Sequence, residues 1–379
     1  MTKKPMGMYI HIPFCSKKCD YCDFVSYSMD KVAQQDYLAA LFGEIDMVKG
    51  DFVDEIFDTL YIGGGTPSMV YEGFIASLSR KLFSSFHFAD DIEFTIEVNP
   101  ASFTHEKFFE YVESGVNRIS VGVQSLNSGL LHIHGREQTM ADIEKTFKIF
   151  GGAHFRNVSA DVMIGLPKQN NKDIIDTVSY LIDKNVQHVS VYSLQIEKGT
   201  VTDNKVRKKE LKPVYEKKAL KQYEEVVEIL KENGYKRYEL SNFARPAFQS
   251  RHNKKYWDNT EFLGLGVSAY SYVGNYRYYN TKRLDTYIEN INDGRLPRYS
   301  REYIPISERR TERIMLSLRT TQGLDLEAFK KEFNEDLLVS KKHELQVMLN
   351  EGMIEIVDGF LRVTDKHFYI TNSIIVELM

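Results

Sequence analysis

The chain reads as an α/β protein, a partial (β/α)6 barrel followed by a smaller C-terminal winged-helix-like α+β domain. Three observations predict this. Six short runs rich in β-branched and aromatic residues alternate with longer amphipathic stretches, the pattern of βα units in a mostly parallel sheet. Several of those runs lead straight into residues of unusual chemistry, as strands do at the carboxyl-end mouth of a barrel. Towards the end of the 379 residues the rhythm changes to three helices and a hairpin.

Taken in order, the strand candidates cover residues 8–12, 59–62, 93–98, 118–123, 158–164 and 188–194, with a weaker seventh at 238–240. Six units cannot close an eight-stranded barrel, so the sheet should stay open on one side. The stretch 214–233 is the clearest helix: Leu220, Tyr223, Val226, Val227 and Leu230 share one face, and Gly234 follows where a left-handed residue ends a helix. From 241 to 303 the composition turns to Tyr, Asn, Arg and Gly, with Tyr270, Tyr272, Tyr276, Tyr278 and Tyr279 crowded together, and the βα rhythm is lost. Beyond it 308–319, 325–333 and 340–349 read as helices, and 353–357 pairs with 360–363 through an Asp358-Gly359 turn. The expected units are a barrel over 1–240, a connecting region over 241–303 and the small domain over 304–379.

Apolar residues make up 42% and charged residues 27%, which argues against disordered, collagen-like and coiled-coil classes. Lys and Arg number 49 against 53 Asp and Glu, and the segment 301–379 carries 11 basic against 14 acidic residues, so no basic footprint of a nucleic-acid binder is present. No run approaches the ~20 apolar residues of a membrane span. The start, Met1-Thr2-Lys3-Lys4-Pro5, lacks the apolar core of a signal peptide. A cytosolic protein is expected. Between 205 and 221 eight basic residues stand against two acidic ones, which suits a solvated helix face or contact with an anionic membrane surface.

All three cysteines, Cys15, Cys19 and Cys22, fall within eight residues just after the first strand. An odd-numbered cluster of this kind is metal or redox chemistry in a reducing compartment, not a disulfide framework. Three thiolates at x3 and x2 spacing can hold three irons of a [4Fe-4S] cluster, and with no fourth cysteine in the chain one iron is left for a substrate. A zinc site completed by His11 or another histidine, as in a regulatory binding module, and three inert thiols are the other readings of the same residues.

With its surroundings, Tyr9-x-His11-x-Pro13-Phe14-Cys15-x3-Cys19-x-Tyr21-Cys22, the cluster resembles the signature of the radical S-adenosylmethionine (SAM) enzymes. The resemblance continues through Gly63-Gly64-Gly65-Thr66-Pro67, Glu97-Val98-Asn99-Pro100, Gly122-Val123-Gln124-Ser125, His134-Gly135-Arg136 and Asp161-x3-Gly165-Leu166-Pro167. It points to the branch that holds oxygen-independent coproporphyrinogen III dehydrogenase and the HemW-type heme chaperones. The resemblance implies a [4Fe-4S] cluster on Cys15, Cys19 and Cys22 and one SAM at the strand ends, its methionyl amine and carboxylate on the open iron. Carried over position by position, Tyr9 packs beside the cluster, and Gly63, Gly64, Gly65 and Thr66 bring backbone groups against the methionyl amine. Glu97 anchors part of SAM, Gln124 and Asp161 serve the ribose hydroxyls, and Arg136 forks onto the methionyl carboxylate.

Within that branch, the chain reads Cys22-Asp23-Phe24 where the dehydrogenase adds a cysteine two residues past the third ligand, and eight residues precede Tyr9 where the dehydrogenase has a longer extension. It carries instead His252-Asn253-x2-Tyr256-Trp257, the motif of the heme chaperones, with a matching stretch at 238–244. The resemblance thus implies heme as cargo. His252 would ligate its iron, Tyr256 and Trp257 would lie against the porphyrin, and Arg251, Lys254 and Lys255 would meet the propionates. Respiratory heme proteins would be the acceptors, met in the cytoplasm or at the inner face of the cell membrane; a monomer and a homodimer both stay open. Oxidative decarboxylation of coproporphyrinogen III to protoporphyrinogen IX is the alternative activity.

Overall fold

The computed structural model describes residues 4–28 and 30–379; residues 1–3, part of the amino end considered above, lie outside the described residues. Six parallel strands form its centre: β1 (Met6–Ile12), β2 (Ile56–Gly64), β3 (His87–Val98), β4 (Arg118–Gln124), β5 (Val158–Ile164) and β6 (His188–Ser193). Each is hydrogen-bonded to the next in chain order. Helices Lys31–Val48, Phe74–Ser85, His105–Glu113, Met140–Gly152, Asn171–Asp183 and Glu216–Glu232 follow the six strands in turn. This is the partial (β/α)6 arrangement expected from the alternation of patterns. The α/β class holds as well, with a mixed main sheet and a small antiparallel C-terminal one.

Alternation along each strand divides the sheet into two chemically distinct faces. Met8, Ile10, Leu60, Ile62, Phe94, Ile96, Ile119 and Val121 are fully buried against the helices and form the core. Burial of each such side chain stabilises the fold by roughly 1.5–3 kcal/mol. The intervening residues, Tyr9, His11, Thr59, Tyr61, Thr95, Glu97, Ser120 and Asp161, line the inner face. Capping boxes at Thr139 with Asp142 and at Asn170 with Asp173 start two of the outer helices.

The sheet does not stop at six strands. β7 (Lys236–Arg237) and β8 (Asn242–Ala244) add an antiparallel edge beyond β6. The weaker seventh strand expected at 238–240 is not formed. Those residues make a turn in which the Glu239 carboxylate accepts the Ser241 amide at 3.1 Å and the Tyr238 hydroxyl meets His188 Nε2 at 2.8 Å. On the other flank β9 (Phe262–Leu265) lies parallel to β1, followed by antiparallel β10 (Tyr270–Val273), β11 (Tyr276–Asn280) and β12 (Arg298–Tyr303). The tyrosine-rich stretch thus builds sheet, its rings pairing across strands, as Tyr270 on Tyr279 with centroids 4.9 Å apart.

Downstream, β13 (Leu324–Asp325), β14 (Ile354–Val357) and β15 (Phe360–Val363) form a separate sheet with β15 in the middle. Asp358 and Gly359 both have positive φ, the geometry of a two-residue hairpin turn. The helix expected over 340–349 forms as Lys342–Asn350, preceded by a short helix Leu337–Ser340, and a further helix, Thr371–Leu378, packs Ile374, Ile375 and Leu378 into the small core. Arg237 stacks on Phe368 and pairs with Asp365, which docks this domain on the barrel edge. Among the described residues no helix is long and apolar enough to cross a membrane.

Glu44 ties the β9–β12 flank to the first helix. Its buried carboxylate accepts from the Gly266 amide at 2.7 Å, Asn280 Nδ2 at 2.6 Å and the Tyr287 hydroxyl at 2.6 Å. Glu44→Ala leaves these donors unpaired and should lower the unfolding free energy by about 3 kcal/mol or more in urea titrations; a loss under about 1 kcal/mol would contradict this account.

Candidate functional site

The thiol loop follows β1 and is pinned from several sides. Gly65 donates its amide to Ile12 O at 2.8 Å and Thr66 to Phe14 O at 2.7 Å, while Cys15 donates to Tyr27 O at 3.0 Å. His11 Nε2 lies 3.1 Å from Val25 O and therefore carries the proton, so Nδ1 accepts from the Tyr9 hydroxyl at 3.0 Å. Burial holds His11 neutral, its pKa lowered to about 4. Asp20 anchors the middle of the loop on the His134 carbonyl through its amide and on Lys205 through its carboxylate at 2.6 Å. All three cysteines are free thiols, half-buried. The Cys15 sulfur is 3.3 Å from Thr66 Oγ1, and the Cys19 sulfur 3.8 Å from Arg136 Nη1. Burial raises the Cys22 thiol pKa.

Among the described residues no three His, Cys, Asp or Glu side chains gather around one point as ligands of a single ion would. A cubane presents its irons at separate corners and makes no such demand on three thiolates. His11, the fourth ligand that the zinc reading calls on, has both ring nitrogens engaged.

Beside the loop, the inner face carries the polar residues of β2 to β6. No Cβ fits at Gly63 without meeting Glu97 at 2.9 Å, nor at Gly65 without meeting Phe14 backbone at 2.8 Å; close approach of protein groups therefore requires glycine here. Glu97 Oε1 accepts from the Tyr61 hydroxyl at 2.7 Å and Oε2 from the Gly64 amide at 3.1 Å. Burial pushes the Glu97 pKa up to about 7 against these two bonds, and the nearby Asp161 charge adds to the rise. Asp161, bonded weakly by Ser120 at 3.4 Å, is raised by burial to about 6.

Arg136 spans the gap between thiols and strand ends. It donates to the Gly122 carbonyl at 2.7 Å and to Gln138 Oε1 at 2.8 Å. A Cβ on Gly122 would stand 2.7 Å from its Nη2 and 3.2 Å from Gln124 Nε2, so both side chains crowd the end of β4. Gln124 has φ of 64°, a left-handed conformation at a bulge in the β4–β5 pairing, which redirects its side chain at the strand end. The structure thus brings Cys15 to Thr66, Cys19 to Arg136, and Glu97 to Gly63 and Gly64. Tyr9 reaches the thiol loop through His11.

The His252-Asn253-x2-Tyr256-Trp257 motif lies elsewhere on the same inner face. Helix Arg251–Trp257 buries His252, with Nδ1 2.9 Å from Thr59 Oγ1 and Nε2 2.9 Å from the Tyr256 hydroxyl. Burial holds its pKa down to about 3. Lys255 and Arg251, expected to be free for propionates, pair with Asp58 at 2.6 and 3.2 Å. Iron ligation by His252 as the helix is seated here would have to displace one of its two partners. Trp257 is half-buried at the last helical position.

Sequence reasoning missed Tyr61, Thr59 and Glu93, the inner-face neighbours of Glu97 and His252. Their signal was available in the period of two: Thr59, Tyr61 and Gly63 share one face of β2.

Comparison with known proteins agrees with this architecture. Residues 9–181 match the radical SAM superfamily, and residues 306–369 match the HemN C-terminal domain. The chain is 32% identical to the heme chaperone HemW of Lactococcus lactis over 99% of its own length and 97% of the relative's. It is 31% identical to that of Bacillus subtilis over 97% of each. Among solved structures, the coproporphyrinogen III oxidase (HemN) of Escherichia coli, described as a radical SAM enzyme, superposes with a TM-score of 0.87 at 23% identity, over 99% of this chain and 90% of that one.

Because Glu97 and Asp161 bind protons more tightly in the fold than ordinary carboxyls do, they make the unliganded protein less stable as pH rises through about 4–7, and the full penalty remains above that. Glu97→Gln or Asp161→Asn should therefore raise the melting temperature at pH 8 by a few degrees and by less at pH 5. A gain that is larger at pH 5 would refute the burial of these charges.

Proposed function

Because the chain belongs to the radical SAM superfamily, and within it to the HemW heme chaperone family, we propose that it is a heme chaperone that binds a [4Fe-4S] cluster, SAM and heme and passes heme to respiratory proteins. What carries the reading is likeness to heme chaperones along the whole chain, in a fold whose three thiols flank the strand ends that hold Glu97 and Asp161. The units 1–240, 241–303 and 304–379 are its working divisions.

The residues present fit the two cofactors. Cys15, Cys19 and Cys22 are soft donors on a partly exposed loop, and the Arg136 guanidinium beside Cys19 offsets the negative charge that thiolates bring. Bound there, the cluster would supply one-electron reduction of the SAM sulfonium, the chemistry that the superfamily resemblance implies. The protein's own part is positional. Gly63, Gly64, Gly65 and Thr66 hold the thiol loop against β2 and offer backbone to the methionyl end, and Tyr9 fixes His11 behind that loop. Glu97 and Asp161 are desolvated carboxylates suited to a cationic ligand and to ribose hydroxyls, with Gln124 and Arg136 beside them.

Heme is the cargo. Ligation by His252 accompanies release of the helix Arg251–Trp257, with Tyr256 and Trp257 then meeting the porphyrin, since both imidazole nitrogens are engaged while the helix is seated. Acceptors are met at the inner membrane face through the basic stretch 205–221. There Lys205 and Lys218 are tied to Asp20 and Gln169 O, while Lys208, Lys209, Lys212, Lys217 and Lys221 are exposed, as is Tyr215 in the same stretch, at 84%.

Anaerobic reconstitution should load about four irons per chain, and Cys19→Ser should abolish retention. The loaded protein should take up heme stoichiometrically and, with SAM and reductant, leave coproporphyrinogen III unchanged; turnover to protoporphyrinogen IX would overthrow the chaperone reading. Co-sedimentation with phosphatidylglycerol vesicles should fall with added salt and with Lys→Gln replacement at 208, 209 and 212. Binding indifferent to both would remove the membrane contact.

A further inference from the structure

The Arg251–Trp257 helix is locked onto the barrel by paired charges. Glu93 caps its start, accepting the amides of Arg251 at 3.0 Å and His252 at 2.9 Å, and Lys255 reaches both Asp58 at 2.6 Å and the Pro5 carbonyl at 2.7 Å. Seated this way, it lays the His252 ring nearly parallel to Tyr61, with centroids 5.0 Å apart and planes 27° apart. Tyr9 stacks on the same Tyr61 ring at 6.2 Å, also at 27°. The tyrosine so held donates its hydroxyl to Glu97 Oε1. Among the described residues, Glu97 has besides this only the Gly64 amide to orient it.

We propose that His252 is a positioning residue for the Glu97 carboxylate, acting through the Tyr61 ring, so that the seating of the Arg251–Trp257 helix sets the affinity of the strand-end site for SAM. The chaperone motif and the cofactor site are then two ends of one stacked column, and whatever lifts the helix loosens Glu97. By reciprocity, SAM bound at Glu97 holds the helix down.

The proposal rests on Glu97 as a SAM contact, and the experiment separates the two. SAM is titrated calorimetrically into cluster-reconstituted full-length protein, with iron content and urea stability measured for each variant. Glu97→Gln should weaken SAM binding; if it does not, the reading of Glu97 fails first. Given that loss, His252→Ala should weaken SAM about tenfold, the scale of one lost hydrogen bond to a charged group. In a Tyr61→Phe background the same substitution should cost nothing further, because the link to Glu97 is already cut. Equal losses in both backgrounds, or an affinity of His252→Ala protein equal to that of wild type at matched iron content, would overturn the inference. Should His252→Ala fail to fold, Tyr256→Phe frees one side of the imidazole while the helix stays capped by Glu93. It should weaken SAM only when Tyr61 is present, and an effect independent of Tyr61 would again refute the coupling.

Discussion

Two amides beyond the end of β2 hold this site together. Gly65 donates to Ile12 and Thr66 to Phe14, so the parallel ladder between β1 and β2 runs past the strands into the loop that carries Cys15. Backbone bonds of this kind fix position more firmly than side chains can, since each spends no rotamer freedom. They also demand glycine: a side chain at 65 would enter the Phe14 backbone. The placement of the thiols relative to the strand ends follows from that contact, with His11, Tyr27 and Asp20 holding the remainder of the loop.

Around this fixed edge the inner face is electrostatically unfinished. Glu97 and Asp161 are held where water is scarce, and burial raises both pKa values more than their hydrogen bonds lower them. A desolvated pair of carboxylates is costly without a partner and favours a ligand that brings positive charge or hydroxyl donors. Arg136 lies between these acids and the thiols and touches both Cys19 and the Gly122 carbonyl. A single cation thus serves sulfur on one side and the strand ends on the other.

The histidine motif shows how the same residue types change meaning in a fold. A histidine with a tyrosine and a tryptophan nearby suits a heme contact, and a run of Arg251, Lys254 and Lys255 suits propionates. Folded, Arg251 and Lys255 answer Asp58, and His252 sits between Thr59 and Tyr256 with its ring on Tyr61. The helix is a cover for the lower inner face, its own start capped by Glu93.

Local order along the chain was legible in the sequence: six βα units, the hairpin at Asp358-Gly359, the thiol spacing and the family to which these belong. Those features are written in periods of two and 3.6 and in short motifs, which need no distant partner to be read. Tertiary structure alone decided the rest. That 236–244 makes two short strands around a turn, that 262–303 extends the sheet from β1, and that Glu44, Glu93 and Asp58 hold partners more than 150 residues away depends on which edges and charges meet in space. An unpaired sheet edge and an unpaired buried charge are satisfied by whatever the fold brings to them, and no local pattern in the chain names that partner.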